Sequence, residues 1–209
     1  MKIVVLADIH GRVESIVGMK KPLSAADLVL VAGDITDFGD ADQAEAVMGL
    51  LGQFCGRVLA VSGNCDPPSV GASLTKAGIN LHGRAVCIDS WCFVGVGGAL
   101  SSSVSEAAFA ESLEWAYQQC DASKPLVVVT HQPAWGTAMD AVAPGRHAGS
   151  RAIREFIERT RPQLAVSGHL HEIIGTDRLG PTTLVNPGPA KQGHYAEIDL
   201  DGETCVRFF

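Results

Sequence analysis

Asp27-Leu28-Val29-Leu30-Val31-Ala32-Gly33-Asp34-Ile35-Thr36-Asp37 is the stretch from which this chain is read. Five consecutive apolar residues, mostly branched, run into a glycine, which predicts a short strand covered on both faces. Asp34 follows at its carboxyl end, where open α/β sheets gather their ligand chemistry, and Gly33 permits a tight turn or a close approach there. A carboxylate left unpaired at a buried sheet end carries a desolvation penalty of several kcal/mol. A cation is the partner this position calls for.

The same arrangement recurs along the chain. Lys2 to Ala7 is a predicted strand that delivers Asp8-Ile9-His10-Gly11, two donors one residue apart that share a side if the segment is extended. Read alone, the tripeptide is as well explained by a helix-capping Asp beside an incidental His. A helix over about 12–21, ended by Pro22, leads into Asp27–Asp37, and this βαβ order predicts a parallel pair. Asp37, Asp40 and Asp42 precede the apolar stripe Ala44, Val47, Met48 and Leu51, so capping and the helix dipole explain their acidity; Asp34 escapes that explanation.

Arg57 to Ser62 predicts a third strand, ending in Gly63-Asn64-Cys65-Asp66 and a turn closed by Pro67-Pro68. Two apolar runs around Asp89-Ser90, between Gly83 and Gly98, predict a β-hairpin that starts a second sheet. Ser103-Val104-Ser105-Glu106 has the form of a capping box ahead of a helical stripe, Phe109, Leu113, Ala116 and Cys120. Pro125 to Thr130 is a strand ending at His131. The segment 134–149, rich in Gly, Pro and Ala, has no period and reads as a functional loop carrying Arg146 and His147, for each of which a surface role is equally good. Ser150 caps a helix with Ile153, Phe156 and Ile157 on its apolar face. Gln163 to Ser167 is a strand entering Gly168-His169-Leu170-His171, whose histidines meet at one site if extended. Short strands over 173–176, 182–186, 195–200 and 203–209 complete an antiparallel edge.

At 209 residues, 46% hydrophobic and 19% charged, the chain reads as one globular domain, residues 1–209. No apolar run approaches the ~20 residues that span a bilayer. A net charge of −7 argues against polymeric nucleic acid, which needs clustered Lys and Arg. The opening MKIVVLADIHG reads as a first strand and not a signal peptide, so the expectation is a cytoplasmic protein. The six cysteines form no CxxC pair and are expected to be reduced and structural.

Asp8, His10, Asp34, Asn64, His131, His169 and His171 are all N and O donors in turns after strands, with no thiolate among them, which suits a hydrolytic transition-metal site better than a structural zinc cage. In order, DxH, GDxxD, GNxD, a strand ending in His131 and GHxH resemble the calcineurin-like metallophosphoesterase family, over Lys2 to about Asn186. The GNCD form resembles its small bacterial and archaeal phosphodiesterases. The resemblance implies an α/β fold, a four-layer αββα sandwich of two mixed β-sheets flanked by helices. It implies two divalent transition-metal ions, Mn2+ foremost with Fe, Zn or Ni as alternatives. Asp8, His10 and His171 would hold one, Asn64, His131 and His169 the other, and Asp34 would bridge them.

The implied activity is hydrolysis of small phosphate esters by metal-activated water, diesters first. A phosphomonoesterase or nucleotide pyrophosphatase on the same site is the enzymatic alternative, and a phosphoesterase-fold scaffold, as in the retromer complex, the non-enzymatic one. Catalytic weight would fall on Asp34, Asn64 and His131, with Asp66 orienting its loop. Two departures matter. Cys65 stands where the protein phosphatases of the superfamily carry a His that assists the leaving group, and Ile35-Thr36-Asp37 lacks their Arg. A small soluble phosphate ester is therefore the expected partner, with no membrane and with homo-oligomerisation left open.

Overall fold

The computed structural model describes residues 1–202 and 204–209. In chain order the first half comprises β1 (Lys2–Leu6), α1 (Val13–Gly18), α2 (Lys20–Ser24), β2 (Leu28–Ala32), α3 (Ala41–Phe54), β3 (Val58–Val61), α4 (Pro68–Lys76), β4 (Ala85–Ile88) and β5 (Trp91–Val96). The second half comprises α5 (Glu106–Tyr117), β6 (Leu126–Thr130), β7 (Ala141–Ala143), β8 (Arg146–His147), α6 (Arg151–Thr160), β9 (Leu164–Val166), β10 (Gly175–Leu179), β11 (Thr182–Asn186), β12 (Ala196–Asp199) and β13 (Cys205–Phe208). A five-stranded sheet has the order β13-β12-β1-β2-β3 and a six-stranded sheet the order β10-β11-β9-β6-β5-β4, both of mixed direction.

Alternation along the central strands explains the layering. Ile3, Val5, Leu28, Leu30, Leu59 and Val61 face across to Phe93, Val127, Val129 and Val166 of the other sheet, forming the middle core. The intervening Val4, Leu6, Val29 and Val31 face outward onto Ile16, Leu23, Val47, Leu51 and Leu74 of the first four helices. On the far side Val94, Val96 and Val128 meet Phe109, Leu113, Ile153 and Phe156 of α5 and α6. Three cores separate four layers, and because both faces of each central strand are covered, those strands read as unbroken apolar runs. The expected αββα sandwich is the fold of this chain.

Several local expectations are corrected. The helix over 12–21 is two short helices meeting at Met19, and Pro22 lies in the first turn of α2, where its missing N–H has no intrahelical partner to lose. The Pro67-Pro68 turn opens an unanticipated helix, α4, with Pro68 at its first position, a placement that proline favours. The C-terminal strands form no single antiparallel edge. Instead β12 and β13 extend the first sheet, while β11 runs parallel to β9 in the second and carries β10 on its outside. Strand β10 starts at Gly175, two residues after the expected position, and Glu203, expected at the head of the last strand, lies outside the described residues.

The expectation of reduced cysteines fails at one pair. Cys87 and Cys92 face each other directly in the β4–β5 hairpin and form a disulfide, while Cys55, Cys65, Cys120 and Cys205 are free. The hairpin brings together two residues that the spacing of five left unremarkable. The structureless reading of 134–149 is also revised. Buried Asp140 accepts from the backbone N–H groups of Gly136, Thr137 and Gly149 and pairs with His147 Nδ1 at 2.8 Å, tying together a small β7–β8 hairpin. His147 thus belongs to the internal wiring of this segment, and Arg146 stands exposed beside it.

The apparent capping box at Ser103–Glu106 is not formed. Ser105 caps α5 through Ala108 N, which frees Glu106 to reach across to α6. There it accepts from Arg151 N at 2.9 Å, Ala152 N at 3.0 Å and the Ser150 hydroxyl. Burial pushes the Glu106 carboxyl up, but the Ser150 hydroxyl and these N–H groups outweigh it and hold its pKa below the ordinary value. A carboxylate with a lowered folded-state pKa stabilises above its unfolded pKa of about 4.3 and stops doing so as pH falls through the folded value. Glu106→Ala is therefore expected to lower stability by about 1 kcal/mol near neutrality, as loss of a cap does. That difference should shrink as urea titrations are repeated from about pH 6 to below pH 4. A pH-independent difference would mean that the contact works through packing alone.

Candidate metal centre

The parallel register of β1, β2 and β3 sets their three carboxyl ends side by side, and the backbone contacts continue past the strands. Asp8 N donates to Gly33 O (3.0 Å), His10 N to Asp34 O (2.9 Å) and Gly11 N to Ile35 O (2.8 Å). The ends of β6 and β9 arrive from the other sheet. His131 Nδ1 donates to Ala32 O at 2.8 Å, and His169 N donates to Asp8 Oδ2 at 3.1 Å. Both crossings depend on missing side chains: a Cβ on Gly33 would stand 2.3 Å from His131 Nδ1, and one on Gly168 would stand 2.8 Å from Asp8 Oδ2.

The donors are presented by a backbone that the sequence alone does not reveal. Asp8, His10, Asp34 and His169 all have left-handed φ, at 55°, 48°, 49° and 71°. Side-chain alternation in an extended chain, the premise for pairing Asp8 with His10 and His169 with His171, is thus not how these residues converge. Each such residue is strained by about 1–2 kcal/mol, and strain of this kind collects at functional sites. Asp66 helps to hold it: one carboxylate accepts from Ile35 N (3.0 Å), Thr36 N (2.8 Å), the Thr36 hydroxyl (2.8 Å) and Gly63 N (2.8 Å). Its oxygens are occupied in clamping the β2 loop to the β3 loop.

Two donor groups result, joined at Asp34. In the first, Asp8, His10, Asp34 and His171 each offer an atom within 4.8 Å of the others. His171 Nε2 lies 3.3 Å from Asp8 Oδ1 and 3.3 Å from His10 Nε2, which is 3.7 Å from Asp34 Oδ2. In the second, His131 Nε2 lies 3.5 Å from Asp34 Oδ2 and 3.0 Å from Asn64 Oδ1, with the His169 ring centroid 5.0 Å from that of His131. Because His131 Nδ1 carries the proton given to Ala32, a neutral His131 faces Asn64 with a lone pair against a carbonyl oxygen. His10 and His171 face each other Nε2 to Nε2, a contact that a neutral pair can make when one ring carries its proton on Nε2. A positive charge relieves the His131–Asn64 contact, and converging N and O donors fit a metal cation at each group.

The electrostatics point the same way. Burial pushes the Asp34 carboxyl up, but the hydrogen bond and charge of His131, with the Cys65 N–H at 2.7 Å, override it and hold the group well below the carboxylate range. Burial opposes a proton on His131, yet Asp34 and Asp8 raise its pKa above the ordinary value. At His169 burial and the adjacent His131 prevail and push the pKa down to about 4. Burial likewise lowers His10, with Lys191 adding to it against Asp34 and Asp8. The cluster keeps His10 and His169 neutral and draws positive charge toward Asp34. The Cys65 thiol, desolvated and facing Asp34, Asp37 and Asp66, is pushed up to about 12; it lies 3.4 Å from Asn64 Nδ2.

Three residues important here were set aside or missed by sequence reasoning. Asp37, read as a helix cap, approaches His10 Nδ1 at 3.6 Å, and Asp40 is the cap that accepts from Gln43 N. Its spacing from Asp34 in GDxxD was the available signal. Buried Asn186 donates to Gly168 O and Leu170 O and accepts from Gly188 N, tying the GHLH loop to the turn after β11. Lys191 is held beside the site by its own N–H to Asp8 O at 3.1 Å, and nothing in its sequence surroundings marked it.

A family model for the calcineurin-like phosphoesterase superfamily domain matches residues 1–202. The chain belongs to that superfamily. Among its relatives is the uncharacterized protein MJ1162 of Methanocaldococcus jannaschii, 32% identical over 196 residues, covering 90% of this chain and 88% of the relative. A probable cyclic nucleotide phosphodiesterase of Synechococcus sp., syc0937_d, is 23% identical over 176 residues, covering 82% and 68% respectively. The crystal structure of TT1561 of Thermus thermophilus superposes with a TM-score of 0.80 at 16% identity, covering all of this chain and 97% of that one, a likeness of fold. The chain thus shares the phosphoesterase fold of its superfamily and carries a cluster of candidate metal ligands at its own strand ends.

Proposed function

We propose that this protein is a phosphodiesterase that works with two divalent metal ions. The observation that carries the reading is Asp34, one buried carboxylate whose Oδ2 stands within 3.7 Å of His10 and 3.5 Å of His131, and so between two donor groups. Asp8, His10 and His171 would hold one ion, Asn64, His131 and His169 the other, and Asp34 both. When bound, the two ions would supply an activated water and electrostatic stabilisation of the phosphoryl oxygens. The N and O donor set suits Mn2+, with Fe, Zn or Ni compatible.

The chain's own residues then orient and exclude. The Ala32 carbonyl fixes the His131 tautomer so that Nε2 faces inward, while Asp37 lies 3.6 Å from His10 Nδ1, near enough for a charge interaction but beyond a hydrogen bond. Asn64 contributes a neutral oxygen, which limits the negative charge presented to an anionic substrate. Cys65, with its pKa near 12, is neither a thiolate nucleophile nor an effective acid. Asp37 and Asp66 add negative charge to the loops around the donors, which weighs against a monoester dianion relative to a diester monoanion, while Lys191 lies near His10. The name of the Synechococcus relative agrees with a diester substrate. All seven donor positions are filled, a set that an interaction scaffold would not need.

Chelation is expected to remove hydrolysis of bis(p-nitrophenyl) phosphate and Mn2+ to restore it, while thiol alkylation or Cys65→Ala leaves most of the rate. A phosphorylated side chain trapped during turnover would refute this mechanism, since no residue here is assigned as a covalent nucleophile.

A further inference from the structure

Phe38 lies in the loop between Asp34 and α3, and two features make it costly for the fold. Its side chain is 74% exposed, the most exposed large hydrophobic residue among those described. Its backbone is left-handed, at φ 55°, where glycine or asparagine would sit with less strain. An aromatic ring that buries little in a conformation that disfavours it contributes little to folding, and an outlier of this kind is reason to look for function.

The loop is nonetheless held in place. Phe38 N donates to Cys65 O at 2.9 Å, one residue from Asn64, and the preceding Asp37 stands 3.6 Å from His10. On the other side Asp40 caps α3, and Gly39 packs so closely that a Cβ there would stand 1.9 Å from Gln43 Oε1. The backbone that carries this exposed ring is therefore anchored to two of the loops that bear the donor cluster. A phenyl face without hydrogen-bonding groups is suited to a flat aromatic surface and indifferent to its polar edges.

Resting on the phosphodiesterase reading above, we propose that Phe38 stacks on the nucleobase of the substrate, so that the esters taken by this site are nucleotide esters. The phosphate lies at the donor cluster and the base extends outward over the loop after β2. Phe38 is then a positioning residue that sets specificity and affinity, with no part in bond cleavage.

The test compares AMP with ribose 5-phosphate, which share a phosphate and a sugar and differ by the base, in calorimetric titrations of the Mn2+-loaded protein. Native protein is expected to bind AMP about tenfold more tightly, as one base–aromatic stack provides. In Phe38→Ala that ratio should fall to about one with the ribose 5-phosphate affinity retained, and Phe38→Trp should keep it. Phe38→Gly should lose the ratio while raising the thermal midpoint, because it removes the strained φ. The proposal is overturned if native protein shows no preference for AMP or if Phe38→Ala weakens both ligands equally. It is also overturned if Phe38→Ala keeps the ratio and changes only sedimentation, which would make Phe38 a self-association contact. Binding needs no turnover, so failure of native protein to cleave bis(p-nitrophenyl) phosphate would sink the phosphodiesterase reading and leave the AMP ratio to decide Phe38.

Discussion

Asp34→Asn is expected to lose at least about a hundredfold in kcat/KM and to bind less than two metal ions per chain, with the fold intact. Loss of a group that only orients a metal ligand already lowers metal affinity or activity by about 10–100-fold, and Asp34 faces both donor groups directly. An amide retains an oxygen to accept from Cys65 N, so the loop contact at 2.7 Å survives and the loss falls on the cations. Removing the charge also removes the counter-charge of His131, whose raised pKa should drop. Asn64→Ala and His10→Ala each touch one donor group and should be milder. Elemental analysis beside hydrolysis rates decides the matter: full activity with normal metal content in Asp34→Asn would refute the shared role.

Gly33→Ala should be among the most disruptive single methyl groups that can be added near the site. Gly33 has φ 88°, which disfavours any side chain, and the new Cβ would stand 2.3 Å from His131 Nδ1 and 2.5 Å from its Cγ. Neither neighbour can yield, since His131 is completely buried and bonded to Ala32 O, one residue away. Strain of about 1–2 kcal/mol for the left-handed backbone and about 1–3 kcal/mol for overpacking together make a loss of about 3 kcal/mol in urea unfolding. Displacement of His131 should abolish hydrolysis even in the fraction that folds. A variant of native stability and native rate would show that the β2–β6 approach is looser than this packing.

Sequence and structure divide between them in a way that follows from range. The strands were legible because each is a short apolar run closed by glycine or a polar turn, a local signal that covering both faces of a sheet imposes. The seven donors were legible because each sits within five residues of a strand end, so their spacing survives in the linear order. The sequence alone also determined the sandwich, through the resemblance those spacings carry. Only the tertiary structure placed Asp66 across two loops, turned Glu106 from an imagined box on its own helix to the head of another, joined Cys87 to Cys92 and brought Asp37 to His10. Those partners are chosen by proximity between segments 5 to 46 residues apart, which no local propensity encodes. The left-handed backbones of Asp8, His10, Asp34 and His169 belong to the same class. No residue type there favours that conformation strongly enough to be read in advance, and it persists because hydrogen bonds and packing between the two sheets hold it.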